Sequence, residues 1–215
     1  MAGLTLKDFL NELREQGGSQ TLSHVINVAN LMEQMAKALH YNEEVQNKWY
    51  YAGLLHDAGK LFVPAKILSK KTDLTDKEYV IVMSHVNYGE AVIKQLKIHD
   101  NLKQCAINCS NYHHAWRNGQ KKDVNAKISG GYYKGMNEKN ISYSAIPEEA
   151  QVCEVCDIFE ALTADRSYCN SMSKEEALSL MDKMLRQGQL SPKYYRIFVC
   201  DVLGKEFLVS EKKVA

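Results

Sequence analysis

The apolar side chains of this chain recur with a period near 3.6 residues almost from end to end, and that spacing leaves little choice of fold. From Gln20 to His40 they fall at Leu22, Val25, Ile26, Ala29, Met32, Met35, Ala36 and Leu39, one stripe of an amphipathic helix. A second helix is predicted from Glu43, through Trp49, Ala52 and Leu55, to a stop near Gly59, a residue type suited to a helix C-terminus. Thr75-Asp76-Lys77-Glu78 has capping-box spacing and opens a third. Others are expected over Asp100–Ala115, over Pro147–Ala164, from Ser173 to Leu185, and from Ser191-Pro192 onward, with a short one over Leu4–Glu15. No strand alternation persists. The reading is an all-α single domain, 1–215, of about seven to eight helices.

One stretch, about 116–145, breaks the period. It holds Gly119, Gly130, Gly131 and Gly135, and between Arg117 and Asn140 it carries six basic residues against two acidic ones. A loop that long in a compact domain suggests a function. A basic lid over an anionic ligand is one, and a solvated surface loop is the other reading.

Overall charge excludes some partners. The 27 Lys+Arg against 26 Asp+Glu leave a net +1, too little for a duplex nucleic-acid binder. No apolar run suits a membrane span, and no signal-peptide order opens the chain, so a cytoplasmic location is expected. The six cysteines then read as reduced, with Cys153 and Cys156 as small core residues of a helix.

Seven histidines remain to be placed. His56-Asp57 ends an apolar helix, and His113-His114 stands near another helix end. His24, His85 and Asp157 fall on further helices. A buried His–Asp pair must be satisfied, because an unpaired buried charge is costly. Adjacent histidines point about 100° apart on a helix and can serve two neighbouring ions, or one ion and a substrate. Should the helices converge, they bring five imidazoles and two carboxylates together. That is too many donors for one tetrahedral zinc and suits two six-coordinate ions. The nitrogen-rich set favours Fe or Mn, with Zn, Ni or Co admissible, and disfavours calcium. His99-Asp100 is set aside.

The order of these motifs resembles the HD superfamily of metal-dependent phosphohydrolases, and within it the HD-GYP subfamily of cyclic-dinucleotide phosphodiesterases. Leu54-Leu55-His56-Asp57-Ala58-Gly59-Lys60 is similar to that family's LLHDxGK signature, followed in order by Pro64, Ile67, Leu68 and Leu74-Thr75. His85 with Gly89 resembles its HxxxG element, His113-His114 its paired histidines, and Asn118-Gly119 its Asp-Gly. Gly131-Tyr132-Tyr133-Lys134-Gly135 resembles the GYPxG loop. Ile146-Pro147, Asp157–Leu162 and Arg166-Ser167-Tyr168 resemble the family's IP and its DxFDALxxxRPY helix. The departures are Ala115 for Glu, Tyr133 for Pro, Cys169 for Arg, a longer stretch from His114 to Gly131, and Gln20 where some members carry a third-metal Glu.

The resemblance implies an HD-type helical domain with a central metal site. It implies a phosphodiesterase acting on a cyclic dinucleotide such as cyclic-di-GMP through a hydroxide bridging two divalent ions. His24, His56, Asp57, His85, His113, His114 and Asp157 would be ligands, and Asp57 and Lys60 catalytic. Lys60, Arg166, Gly131, Tyr132, Tyr133 and Lys134 would contact substrate. A homodimer or a signalling-protein partner fits such a module. The alternatives are a degenerate module that binds metal and nucleotide with little turnover, or an HD phosphohydrolase for another nucleotide. Similar ligand sets also support di-iron oxygenases.

Overall fold

The structure, a computed structural model, describes residues 3–115, 145–164 and 171–207. Nine α-helical segments lie within these residues. They are α1 (Leu6–Ala38), α2 (Glu43–Leu55), α3 (Ala65–Leu68), α4 (Asp76–Met83), α5 (His85–Gln95), α6 (Asp100–Tyr112), α7 (Glu148–Thr163), α8 (Lys174–Arg186) and α9 (Pro192–Ile197). A 3₁₀ turn, Ala58–Phe62, follows α2, and a π-helical turn, Phe198–Val202, follows α9. Among the described residues the extended chain amounts to one isolated bridge between Leu4 and Leu96, and no helix is long and apolar enough to cross a membrane. The basic, glycine-rich stretch lies outside the described residues from 116 to 144.

The helix starts follow their capping residues. Thr5 with Asp8, Thr75 with Glu78 and Ser173 with Glu176 each form a reciprocal capping box, and Asn42 caps α2 through its side chain.

Three boundaries differ from the periodicity. The two helices expected before His40 form one, α1, interrupted at Gly18, whose φ of 77° and ψ of 179° are non-helical. The run opened by Thr75 is divided at Ser84 into α4 and α5. The second helix ends at Leu55, earlier than Gly59. Gly59 is not a left-handed cap. It lies in the 3₁₀ turn against the backbone of α5, where a Cβ would collide with the carbonyl of His85. Gly89 likewise leaves room for the Ser110 hydroxyl. Gly53 brings α2 onto α1, since a Cβ there would lie 2.7 Å from the Ala29 Cα. These approaches bring the ends of α2, α5 and α6 together.

Two apolar clusters form the core. One gathers Met32, Met35, Trp49, Phe159, Met181, Tyr195 and Phe198 with Cys109, Cys153 and Cys156. The other gathers Phe9, Leu13, Val25, Leu54, Leu55, Val92, Ile93 and Leu96. Helices α1, α2 and α6 contribute to both, α5 to the second and α7 to the first.

Candidate metal centre

His24, His56, His85 and His113 each have one ring nitrogen anchored and the other aimed inward. His56 Nδ1 donates to the Gly53 carbonyl at 2.7 Å, His85 Nδ1 to that of Val82 at 2.8 Å, and His113 Nδ1 to that of Cys109 at 2.8 Å. A ring nitrogen facing a carbonyl must carry the proton, so in the neutral ring Nε2 presents a lone pair. The anchors are local, three or four residues back along the chain, as a helix end provides them. His24 Nδ1 is held by Glu160, a carboxylate that also accepts from Asn27 at 3.0 Å.

Asp57 stands at the centre of the inward nitrogens. Its Oδ2 lies 3.4 Å from His24 Nε2 and 3.3 Å from His56 Nε2. Its Oδ1 lies 3.1 Å from His85 Nε2 and 3.9 Å from His113 Nε2. Asp157 Oδ1 joins the first set, 3.1 Å from His24 Nε2 and 3.8 Å from that of His56. His114 joins the second, its ring 4.0 Å from that of His113 and 5.3 Å from that of His85. The Lys60 ammonium closes on Asp57 Oδ2 from one turn ahead.

This donor set fits metal cations on three observations. His85 Nε2 and His113 Nε2 face each other at 3.2 Å with both Nδ1 protons committed to carbonyls, so two lone pairs confront one another. His56 Nε2 is buried without a hydrogen-bond partner. Asp57, Asp157 and Glu160 crowd three carboxylates into the interior, where positive charge must offset them. Donor atoms of His24, His56 and Asp157, of His56, Asp57 and His113, and of His85, His113 and His114 form groups within 4.8 Å.

Electrostatics divide the cluster in two. Burial opposes charge on His24, but Asp157, Asp57 and Glu160 outweigh it and hold the imidazole well above its usual range. His56 is pushed up to about 9, with burial overcome chiefly by Asp57. Burial pushes His85 down to about 4, and burial with the neighbouring His56 pushes His113 down to about 3. Burial would raise both aspartates. Lys60 and His56 hold Asp57 well below the usual carboxylate range, and His24 does the same for Asp157.

The structure thus brings together His24, His56, Asp57, Lys60, His85, His113, His114 and Asp157. Arg166, Gly131, Tyr132, Tyr133 and Lys134 lie outside the described residues. His99 instead caps α6, where its ring accepts from the Asn101 amide. Two residues of the site escaped the sequence reading. Glu160 and Asn27 stand one turn beyond Asp157 and His24, on the same helix faces, and i+3 spacing was the signal that could have found them.

Residues 5–193 match the family model described as HD domain. The chain is 29 % identical over 179 residues to 3'3'-cGAMP-specific phosphodiesterase 1 of Vibrio cholerae, covering 83 % of this chain and 37 % of that protein. It is 29 % identical, over 83 % of this chain and 38 % of the other, to a cyclic di-GMP phosphodiesterase of Pseudomonas aeruginosa. A cyclic di-GMP phosphodiesterase of Thermotoga maritima matches at 26 %, over 89 % of this chain and 47 % of that protein. The chain therefore spans less than half the length of these curated relatives. Its fold resembles the HD domain of the L. monocytogenes phosphodiesterase PgpH in complex with cyclic-di-AMP. The TM-score is 0.58 at 18 % identity, covering 88 % of this chain and 92 % of that one.

Proposed function

The chain belongs to the HD-domain family, and from that membership we propose that it hydrolyses a phosphodiester bond of a cyclic dinucleotide such as cyclic-di-GMP, using two divalent metal ions. The observation that carries the reading is the division of Asp57: its two oxygens face two different histidine sets. His24, His56 and Asp157 would hold one ion, His85, His113 and His114 the other, with Asp57 shared. Fe or Mn suits imidazoles mixed with carboxylates. When bound, such ions lower the pKa of water toward neutrality and neutralise charge on phosphate oxygens.

The chain's own residues do the rest. Backbone carbonyls and Glu160 fix the rings of His24, His56, His85 and His113 so that each Nε2 points at one small volume, which orients ligands before anything binds. Lys60 keeps Asp57 ionised and has further N–H groups to offer a phosphate oxygen. Arg166 and the Gly131-Tyr132-Tyr133-Lys134 segment are proposed, from the HD-GYP resemblance alone, to contact the rest of the substrate. The names of the matched relatives support a cyclic dinucleotide as substrate. Free thiols at Cys105, Cys109, Cys153, Cys156 and Cys200 support a reducing, cytoplasmic setting.

The test is metal analysis of anaerobically purified protein, with turnover of cyclic-di-GMP, cGAMP and cyclic-di-AMP in Mn²⁺ or Fe²⁺. Linear dinucleotide or mononucleotide products are expected. Metal binding with cyclic-dinucleotide affinity but no product would instead identify a binding module. A protein that takes up no metal overturns the reading.

A further inference from the structure

A cavity of about 240 Å³ opens beside His24. That is below the roughly 300–1,000 Å³ of pockets that take a whole ligand, so it would house part of one. His24 lies in its wall, which places the cavity directly against the metal centre. Lys60 and Lys70 line it, together with Gln20, Thr72 and Asp73.

The two lysines share a construction. Each ammonium is pinned by a carboxylate that is not part of the lining, Lys60 by Asp57 and Lys70 by Glu78 at 2.5 Å. Glu78 is itself fixed, because it closes the capping box of α4 and accepts from the Thr75 amide and hydroxyl at 2.8 Å. Lys70 is therefore held in place by a helix start. An ammonium has three N–H donors, and one bond to Glu78 leaves others for the cavity. A fixed cation with spare donors suits a phosphate oxygen.

We propose that this cavity is the subsite for the non-reacting phosphate of the substrate, and that Lys70 is the residue that positions it. The inference rests on the cyclic-dinucleotide reading above. A cyclic dinucleotide carries two phosphodiesters in one ring. With one against the metal ligands, the other must lie in a space adjoining them. Lys60 and Lys70 outnumber Asp73, the one carboxylate among the residues lining that space.

The experiment compares wild type with Lys70→Ala and Lys70→Arg, all loaded with Mn²⁺. Binding is read by calorimetry with the phosphorothioate analogue of cyclic-di-GMP, which resists cleavage. Turnover is read on bis(4-nitrophenyl) phosphate, which has a single phosphate and no use for a second subsite. Lys70→Ala should weaken analogue binding at least about tenfold, the effect of one lost charge-assisted hydrogen bond. Lys70→Arg should recover part of it. Metal content and the kcat and KM for bis(4-nitrophenyl) phosphate should stay at wild-type values. Unchanged analogue binding in Lys70→Ala overturns the subsite while leaving the cyclic-dinucleotide reading intact. Equal losses on both compounds, or lost metal, make Lys70 a structural residue and also overturn it. A wild type that neither binds nor cleaves cyclic-di-GMP, cGAMP or cyclic-di-AMP overturns both.

Discussion

Glu160 holds the Nδ1 of His24 while Asp157, one turn earlier on α7, meets the Nε2 of the same ring. One helix thus grips an imidazole by both nitrogens. Asp157 faces the metal volume, and Glu160 sets the tilt of the ring from behind. Removing Glu160 should therefore weaken metal binding without removing a ligand. Glu160→Ala is expected to lower metal affinity by about 10- to 100-fold, measured by competition with a coloured chelator. Wild-type affinity in that variant would show that the ring is held by packing alone.

Asp57 and Lys60 touch each other but should fail differently. Asp57→Asn withdraws charge from both histidine sets, so metal content and turnover should fall together. Lys60→Ala leaves every ligand in place. It should retain metal and lose turnover by about 100-fold, the cost of one preorganised donor to developing charge. Metal analysis beside initial rates separates the two, and equal loss of metal in both variants would make Lys60 structural.

Gly59→Ala tests how Asp57 is brought to His85. The added Cβ meets the His85 carbonyl, backbone that can yield only by moving α5. Destabilisation on the order of 1–3 kcal/mol is expected from such overpacking, read as a lower urea midpoint, with weaker metal uptake as the two residues part. An unchanged midpoint would mean that the approach is looser than described.

The Glu78 cap carries its own pH dependence. Lys70, followed by the Thr75 amide and hydroxyl, lowers its carboxyl from 4.5 to about 2. A carboxylate depressed in the folded state stabilises fully above its unfolded value and loses that contribution as pH falls through its folded one. The melting-temperature gap between wild type and Glu78→Gln should hold above pH 4.5 and close on acidification toward about 2. A gap that persists to the acid end would assign the effect to shape rather than charge. The group is exposed, so the gap should be small.

The helices and most of the candidate ligands were legible because both leave marks in one dimension. Apolar period marks the helices, and the adjacent pairs His56-Asp57 and His113-His114 fall where helices end. The pairs are conspicuous because a helix end leaves neighbouring carbonyls to receive the Nδ1 protons. What stayed hidden depends on contact between distant segments. Gly59 reads as a helix stop, and only the approach of α5 reveals its purpose. Glu160 reads as a polar residue within a helix until His24 is found 136 positions away. Gly18 follows Gly17 in a run of polar residues, and nothing in its spacing says that the helix resumes beyond it in the same element. Lys70 carries no signal at all, because its importance comes from a cavity that neither of its sequence neighbours defines.

The divided apolar core has a consequence for how the chain comes apart. Asp157 belongs to a helix of one cluster and His85 to a helix of the other, and both meet the ring of donors around Asp57. Ions seated there would act as rivets between α5 and α7, which bury their apolar faces in different clusters, while α1, α2 and α6 run through both and keep them one unit. Metal supply would then govern the strength of the whole fold. Loaded and chelated protein should both melt in one step, the chelated protein at the lower temperature. A cell short of the metal would in that case hold a chain that opens more often, a target for proteases, rather than an idle but intact one.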